Sequence, residues 1–253
     1  MLSMRLGKLP ARINSVHLRL STYLDVAAVS PLIPAAFGPD LPALPMLGAD
    51  EARCGVWAGF AYEAMLASRE AGAPVGFSAG SVLSDYAAVT GHNPDDPATD
   101  VGTDLQVAAS YRRRVGILDN TGARHRVGAY ATLTIGDPEQ LAAAVYIFGS
   151  VGVGLRIPGH ALDDFAAGRP WKSQQGLPPI TGCHYVPVVG RAGNGNFLGL
   201  AWGRVQEIEP MFYRRYCDEV IVYFSEEFMT APVSPPGFDR AQLLIDLQAF
   251  TRR

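Results

Sequence analysis

Cysteine is scarce: 253 residues contain three, Cys54, Cys183 and Cys217. An odd, sparse set is no disulfide framework, and without a CxxC pair there is no zinc ribbon, so the redox setting reads as reducing. An excess of either charge is also missing. Lys plus Arg number 21 against 24 Asp plus Glu, a net charge of −3. Only Tyr111-Arg112-Arg113-Arg114 and Tyr213-Arg214-Arg215 are locally basic, which disfavours nucleic acid as a partner. Long apolar runs are absent too. The longest, residues 145–157, is interrupted by Gly149, Gly152 and Gly154 and falls short of the roughly 20 residues that cross a bilayer. Residues 1–20 carry scattered charges and no continuous apolar segment, so they do not read as a signal peptide. What is abundant is core material: 48% of the residues are hydrophobic and 18% charged. That is the composition of a globular protein, with length for one large domain or two fused lobes.

Proline punctuates the first 50 residues (Pro10, Pro31, Pro34, Pro39, Pro42, Pro45), predicting an extended arm over residues 1–50 that packs on the body. Residues 16–24 are apolar enough for an edge strand or a helical turn. Trp57, Phe60, Ala61, Ala64, Met65 and Ser68 recur at helical spacing, predicting a helix over 55–71 with one face toward a core. Further helices are predicted over 79–90, with Ser78 as N-cap, and over 104–115, opened by Thr103 and closed by Gly116. Beyond residue 125 the texture changes. Strands are expected over 129–135, 151–157, 185–189, 197–202 and 219–224. Helices are expected over 138–148, started by Asp137-Pro138, and over 209–216 and 240–250. Helices first and strands later argue for an α+β fold of two lobes, a helical one over about 51–125 and a sheet lobe over about 126–253.

Gly149 to Gly154 and Gly193-Asn194-Gly195-Asn196 lack the spacing of a phosphate loop. They read as a turn entering a strand and as a hairpin turn. The five histidines, His17, His92, His125, His160 and His184, are dispersed. Cys183 and His184 are neighbours that a strand would point to opposite faces. No metal site and no cofactor is expected. A sharper constellation pairs Cys54, just ahead of the helix carrying Trp57-Ala58-Gly59, with His184, about 130 residues later. A thiol at a helix N-terminus has its pKa lowered by the dipole, and a histidine beside it can hold the thiolate.

These residues carry a resemblance. Leu6-Gly7-Lys8-Leu9-Pro10-Ala11-Arg12, Met46-Leu47-Gly48, Ser84-Asp85-Tyr86, Val89-Thr90-Gly91 and Gly102-Thr103-Asp104 stand in an ordered set. Phe148-Gly149, Pro170-Trp171, His184-Tyr185-Val186-Pro187, Trp202-Gly203, Asp218-Glu219 and Pro236-Gly237-Phe238-Asp239 continue it. The chain resembles the papain-like cysteine-peptidase superfamily, in the branch common in tailed bacteriophages and prophages. The resemblance implies a helical lobe led by a nucleophile-type helix and a twisted antiparallel sheet lobe carrying the histidine.

The departures from that pattern decide the functional expectation. Relatives place a cysteine immediately before Val-Trp-Ala-Gly; here that position is Gly55, and Cys54 falls one place early. The asparagine that would help hold an oxyanion falls on Ala49, and the one that would orient the histidine falls on Leu200. A one-residue shift rotates a helical side chain by about 100°. The expectation is therefore a catalytically inactive protein with a vestigial cleft of Gly55, His184, Ala49 and Leu200. It would serve as a structural or binding component of a virion (capsid, connector or tail), with protein partners and possible oligomers, located in the virion or the host cytoplasm. The arm and residues 230–238 are the expected docking segments. Two alternatives stand beside it. One is an active peptidase or amidase using Cys54 and His184, with Asn194 or Asn196 swinging in to orient the ring. The other is a host-directed binding effector.

Overall fold

The computed structural model describes residues 4–12, 18–41 and 43–251, and the side chains up to 249. His17 and the start of the apolar stretch 16–24 lie outside the described residues. The rest of that stretch forms a 3₁₀ turn, Leu20–Thr22, and α1 (Val26–Val29) follows it. The helical lobe comprises α2 (Gly55–Glu70), α3 (Ala79–Thr90) and α4 (Leu105–Arg114), with a small hairpin of β1 (Ile117–Leu118) and β2 (Arg124–His125). The sheet lobe then runs β3 (Ala129–Thr132), α5 (Pro138–Phe148), β4 (Val151–Pro158), α6 (Gly159–Ala166), β5 (Ile180–Arg191), β6 (Phe197–Ala201) and β7 (Arg204–Ile208). It closes with α7 (Pro210–Tyr216), β8 (Cys217–Phe224), α8 (Glu226–Thr230) and α9 (Arg240–Thr251). Six strands form one sheet in the order β3-β8-β4-β5-β6-β7, every pairing antiparallel. The architecture is α+β.

Local chemistry sets the helix starts. Ser78 and Ser81 form a reciprocal capping box at α3, and the Asp137 carboxylate accepts from the Glu139 and Gln140 amides at α5. At α4 the cap is Asp104, which accepts from the Gln106 and Val107 amides, and not Thr103. Thr103 is drawn inward because the buried Trp57 Nε1 donates to its hydroxyl at 3.1 Å. A buried indole N–H must find an acceptor, and that need outweighs a cap one residue away that Asp104 already supplies.

The core lies where α2 crosses the sheet. Every residue from Gly55 to Glu63 is buried, so α2 is central rather than amphipathic. Trp57 and Phe60 are fully buried on it, and each such aromatic contributes on the order of 2–3 kcal/mol of apolar burial. β5 is longer at both ends than its apolar run suggests, spanning 180–191 and not 185–189. His184 therefore sits inside the strand, opposite Leu155 of β4, and does not open it. The turn between β6 and β7 has two residues, Trp202 and Gly203, with φ of 44° and 72°, the left-handed pair that two-residue hairpins favour.

Candidate functional site

The N-terminus of α2 meets the middle of β5. It is delivered there by the turn after Met46, where Leu47 and Gly48 both have positive φ and the Glu51 and Ala52 amides donate to the Gly48 carbonyl. This brings together the four residues of the expected vestigial cleft. Ala49, Gly55, His184 and Leu200, with Trp202, line a small void of about 10 Å³, room for no more than one water.

Gly55 is the decisive position. A Cβ built there would stand 2.9 Å from His184 Cε1 and 3.2 Å from Nδ1. The imidazole stands against the volume that a side chain at 55 would occupy. It is stacked flat on the Trp202 indole, with centroids 4.1 Å apart and an interplanar angle of 9°. A tryptophan at φ 44° costs about 1–2 kcal/mol of backbone strain, so the indole is held over the ring at an energetic cost. His184 is 2% exposed and its Nδ1 has no hydrogen-bond partner. Burial pushes its pKa down to about 3, leaving the ring neutral at physiological pH. Charging it would mean stranding a cation among apolar groups.

Cys54 does not complete a pair with this ring. It is the residue preceding α2, fully buried, and its thiol is directed at the Leu47 carbonyl at 3.7 Å. The expectation of a dipole-lowered thiol is overturned. Burial, seconded by the carboxylates of Asp100, Asp50 and Glu51, pushes the Cys54 pKa up to about 12. At pH 7 roughly one thiol in 10⁵ is then ionised. Desolvation outweighs the helix dipole because the turn 47–54 folds over the sulfur, which the sequence did not show. Cys183 and Cys217 are buried as well, and burial raises both thiols, Cys217 to about 12. Asn194 and Asn196 do not approach His184. Both amides donate to Glu207 at 2.9 Å in the β5–β6 turn, at the end of β6 opposite Trp202. Leu200 is buried and offers the ring no polar atom.

Sequence reasoning missed what crosses the cleft. Residues 5–9 run through the crevice between the lobes. The Lys8 amide donates to the Cys183 carbonyl at 3.2 Å, the Leu9 amide to the Thr103 carbonyl at 2.9 Å, and the Thr103 amide to the Gly7 carbonyl at 2.9 Å. Trp202 Nε1 donates to the Arg5 carbonyl at 3.1 Å. The Gly7-Lys8-Leu9-Pro10 run was the available signal, a small residue and a cation set inside a proline-rich arm. At the other end of the chain, Phe238 is buried against Phe148, Phe224 and Phe228. Among the described residues no cluster of His, Cys, Asp and Glu could hold a metal ion, and no helix is long and apolar enough to cross a membrane.

No family model and no curated protein matches the sequence. Solved structures do match the fold. Xylellain, a cysteine protease from Xylella fastidiosa, is similar with a TM-score of 0.67 at 10% identity over 88% of this chain and 97% of its own. The cysteine protease CMS1MS2 of Carica candamarcensis, solved in complex with E-64, is similar with a TM-score of 0.56 at 14% identity over 76% and 99%. Procathepsin B S9 from Trypanosoma congolense is similar with a TM-score of 0.52 at 15% identity over 88% and 87%. The chain has the fold of the papain-like cysteine proteases.

Proposed function

From that fold as premise, we propose that the chain is a catalytically inactive papain-like protein that serves as a structural or binding component. One observation carries the reading: the His184 ring fills the space where a side chain at position 55 would stand. Acyl transfer by a thiol needs a thiolate and a base within roughly 3 Å of each other. Here the position facing the base carries no side chain. The neighbouring thiol is protonated and aimed at a carbonyl, and Leu200 replaces the group that would orient the ring. The strained Trp202 persists as packing over an imidazole without a partner.

The resemblance to phage-encoded relatives supports a place in a virion as capsid, connector or tail protein with protein partners. Inactivity and the place in a virion are tested separately. Incubation with fluorogenic peptides and an epoxide trap such as E-64 is expected to give neither turnover nor a covalent adduct. An adduct on Cys54 contradicts the inactive reading. Quantitative mass spectrometry of purified particles is expected to find the chain at fixed stoichiometry. Its absence from particles, with recovery on one host protein, favours an effector instead.

A further inference from the structure

Three ionisable side chains, Lys8, Asp218 and Glu219, meet beside β4 and β8. The Lys8 side chain is fully buried, and those of Asp218 and Glu219 are 12% and 8% exposed. Lys8 Nζ lies 3.0 Å from Asp218 Oδ1 and 3.1 Å from Oδ2. Near-equal distances to both oxygens set the nitrogen opposite the carboxyl carbon. Glu219 presents one oxygen to the same nitrogen, Oε2 at 3.3 Å, while its Oε1 accepts from Gln106 Nε2 at 3.2 Å. The Leu9 carbonyl accepts from Nζ at 2.9 Å. Asp218 Oδ2 also accepts from the Ala11 amide at 3.3 Å. Oδ1 is buried and has no hydrogen bond among the described residues. Glycine at 154 permits this approach, since a Cβ there would stand 2.3 Å from Lys8 Cε and 2.8 Å from Asp218 Oδ1.

A buried ion pair is an expensive way to fill such a site. Both charges lose their hydration, and their mutual attraction returns only part of that loss. An amide made from the same two groups is neutral and escapes the penalty. The nitrogen stands at about the 3–3.5 Å of a near-attack geometry, and fixed placement of that kind is equivalent to an effective concentration of about 10⁵–10⁸ M. Exclusion of water from the site disfavours the reverse hydrolysis.

We propose that Lys8 and Asp218 become joined by an isopeptide bond, with Glu219 carrying the protons. Glu219 Oε2 takes a proton from Nζ, and the freed lone pair attacks Asp218 Cγ to form the C–N bond. The Ala11 amide stabilises the charge that gathers on Oδ2. Glu219 gives its proton to Oδ1. The Cγ–Oδ1 bond then breaks, and Oδ1 leaves as water with a second proton from Nζ. One ammonium and one carboxylate become one amide and one water, Glu219 ends as it began, and nothing is oxidised or reduced. Asp218 is the acceptor and Glu219 the proton carrier because Nζ is flanked by both oxygens of the first and touches one oxygen of the second. The bond ties together residues 210 positions apart in a chain whose described cysteines are all free. It stabilises as a disulfide does, chiefly by constraining the unfolded chain. It requires nothing of Cys54 or His184, so it stands or falls apart from the inactive reading.

Intact-mass spectrometry of the unaltered full chain, reduced and denatured, followed by tryptic mapping, reads the bond directly. The chain is expected to be lighter than its sequence by the mass of one water. Trypsin is expected to leave Lys8 uncut and to release residues 6–12 joined to residues 216–240. A chain of full mass that trypsin cuts after Lys8 overturns the proposal. So does a loss of water with the two peptides recovered separately. Two variants separate a bond from an ion pair. Asp218→Ala is expected to have full mass and to be cut at Lys8, whether or not it folds, and a joined Lys8 peptide in it overturns the assigned acceptor. Glu219→Gln keeps the Lys8–Asp218 contact and is expected to slow joining by about a hundredfold or more, measured as the joined fraction against time after refolding. Joining at the unaltered rate in that variant overturns the role given to Glu219.

Discussion

Two stretches of the same contact, α2 against β5, behave in opposite ways. At the first turn of α2, Gly55 faces His184, a ring with an unpartnered nitrogen, a protonated thiol nearby and a small void. Two turns further along, Glu63 faces Tyr185, the very next residue of β5. There the Tyr185 hydroxyl donates to Glu63 at 2.7 Å, and the Arg112 guanidinium of α4 pairs with the same carboxylate. Arg112 is sandwiched between the Phe60 and Tyr223 rings, at 4.7 and 4.4 Å from their centroids. At one end of the interface both carboxylate oxygens of Glu63 are held, one by Tyr185 and one by Arg112, and at the other the His184 Nδ1 has no partner. The contrast teaches that one contact can pair a buried carboxylate at one end and set an imidazole against a bare glycine at the other.

The comparison breaks most readily at its Glu63 end. Arg112→Ala leaves the Glu63 carboxylate buried without its partner and is expected to cost about 3–5 kcal/mol. Denaturant unfolding measures it, and a loss below about 1 kcal/mol would mean the network is not what joins the lobes. The His184 end responds to pH instead. In the folded chain the ring stays neutral down to about pH 3, while the unfolded ring takes up its proton near 6.5. Between those values the unfolded state binds more protons, so stability falls as pH is lowered through the window, by up to roughly 3 kcal/mol at pH 4. In His184→Phe that part of the pH dependence is expected to disappear from thermal melts. Gly55→Ala places a Cβ against the ring and is expected to cost about 1–2 kcal/mol by overpacking. A neutral or stabilising result would show that the imidazole moves aside freely. Tyr185→Phe removes a single hydrogen bond to Glu63 and is expected to cost about 1 kcal/mol.

Much of this was legible in local sequence. The spacing of Trp57, Phe60, Ala61 and Ala64 marked α2 within a residue of its end, and Asp137-Pro138 marked the start of α5. The α+β order followed from where helical and strand patterns lie. The positions of Gly55, Ala49, Leu200 and His184 followed from the resemblance, and the structure brings these four side by side. What local pattern could not carry was anything joining distant residues. Lys8 and Asp218 are 210 positions apart and Glu63 and Arg112 are 49 apart, and no spacing rule links them. The Cys54 thiol was misread for the same reason. The helix dipole is a local effect visible in sequence, whereas the burial that outweighs it comes from the fold of the turn around Leu47. Thr103 and Asp104 were both good N-cap residues, and a tryptophan 46 positions away decided between them.

The central claim is that no thiolate–imidazolium pair exists in this cleft, and the rate of Cys54 alkylation by iodoacetamide, followed by mass spectrometry across pH, tests it most directly. The account expects negligible labelling near pH 7, with a pH dependence unchanged in His184→Ala. Rapid labelling of Cys54 at neutral pH that is lost in His184→Ala would contradict it.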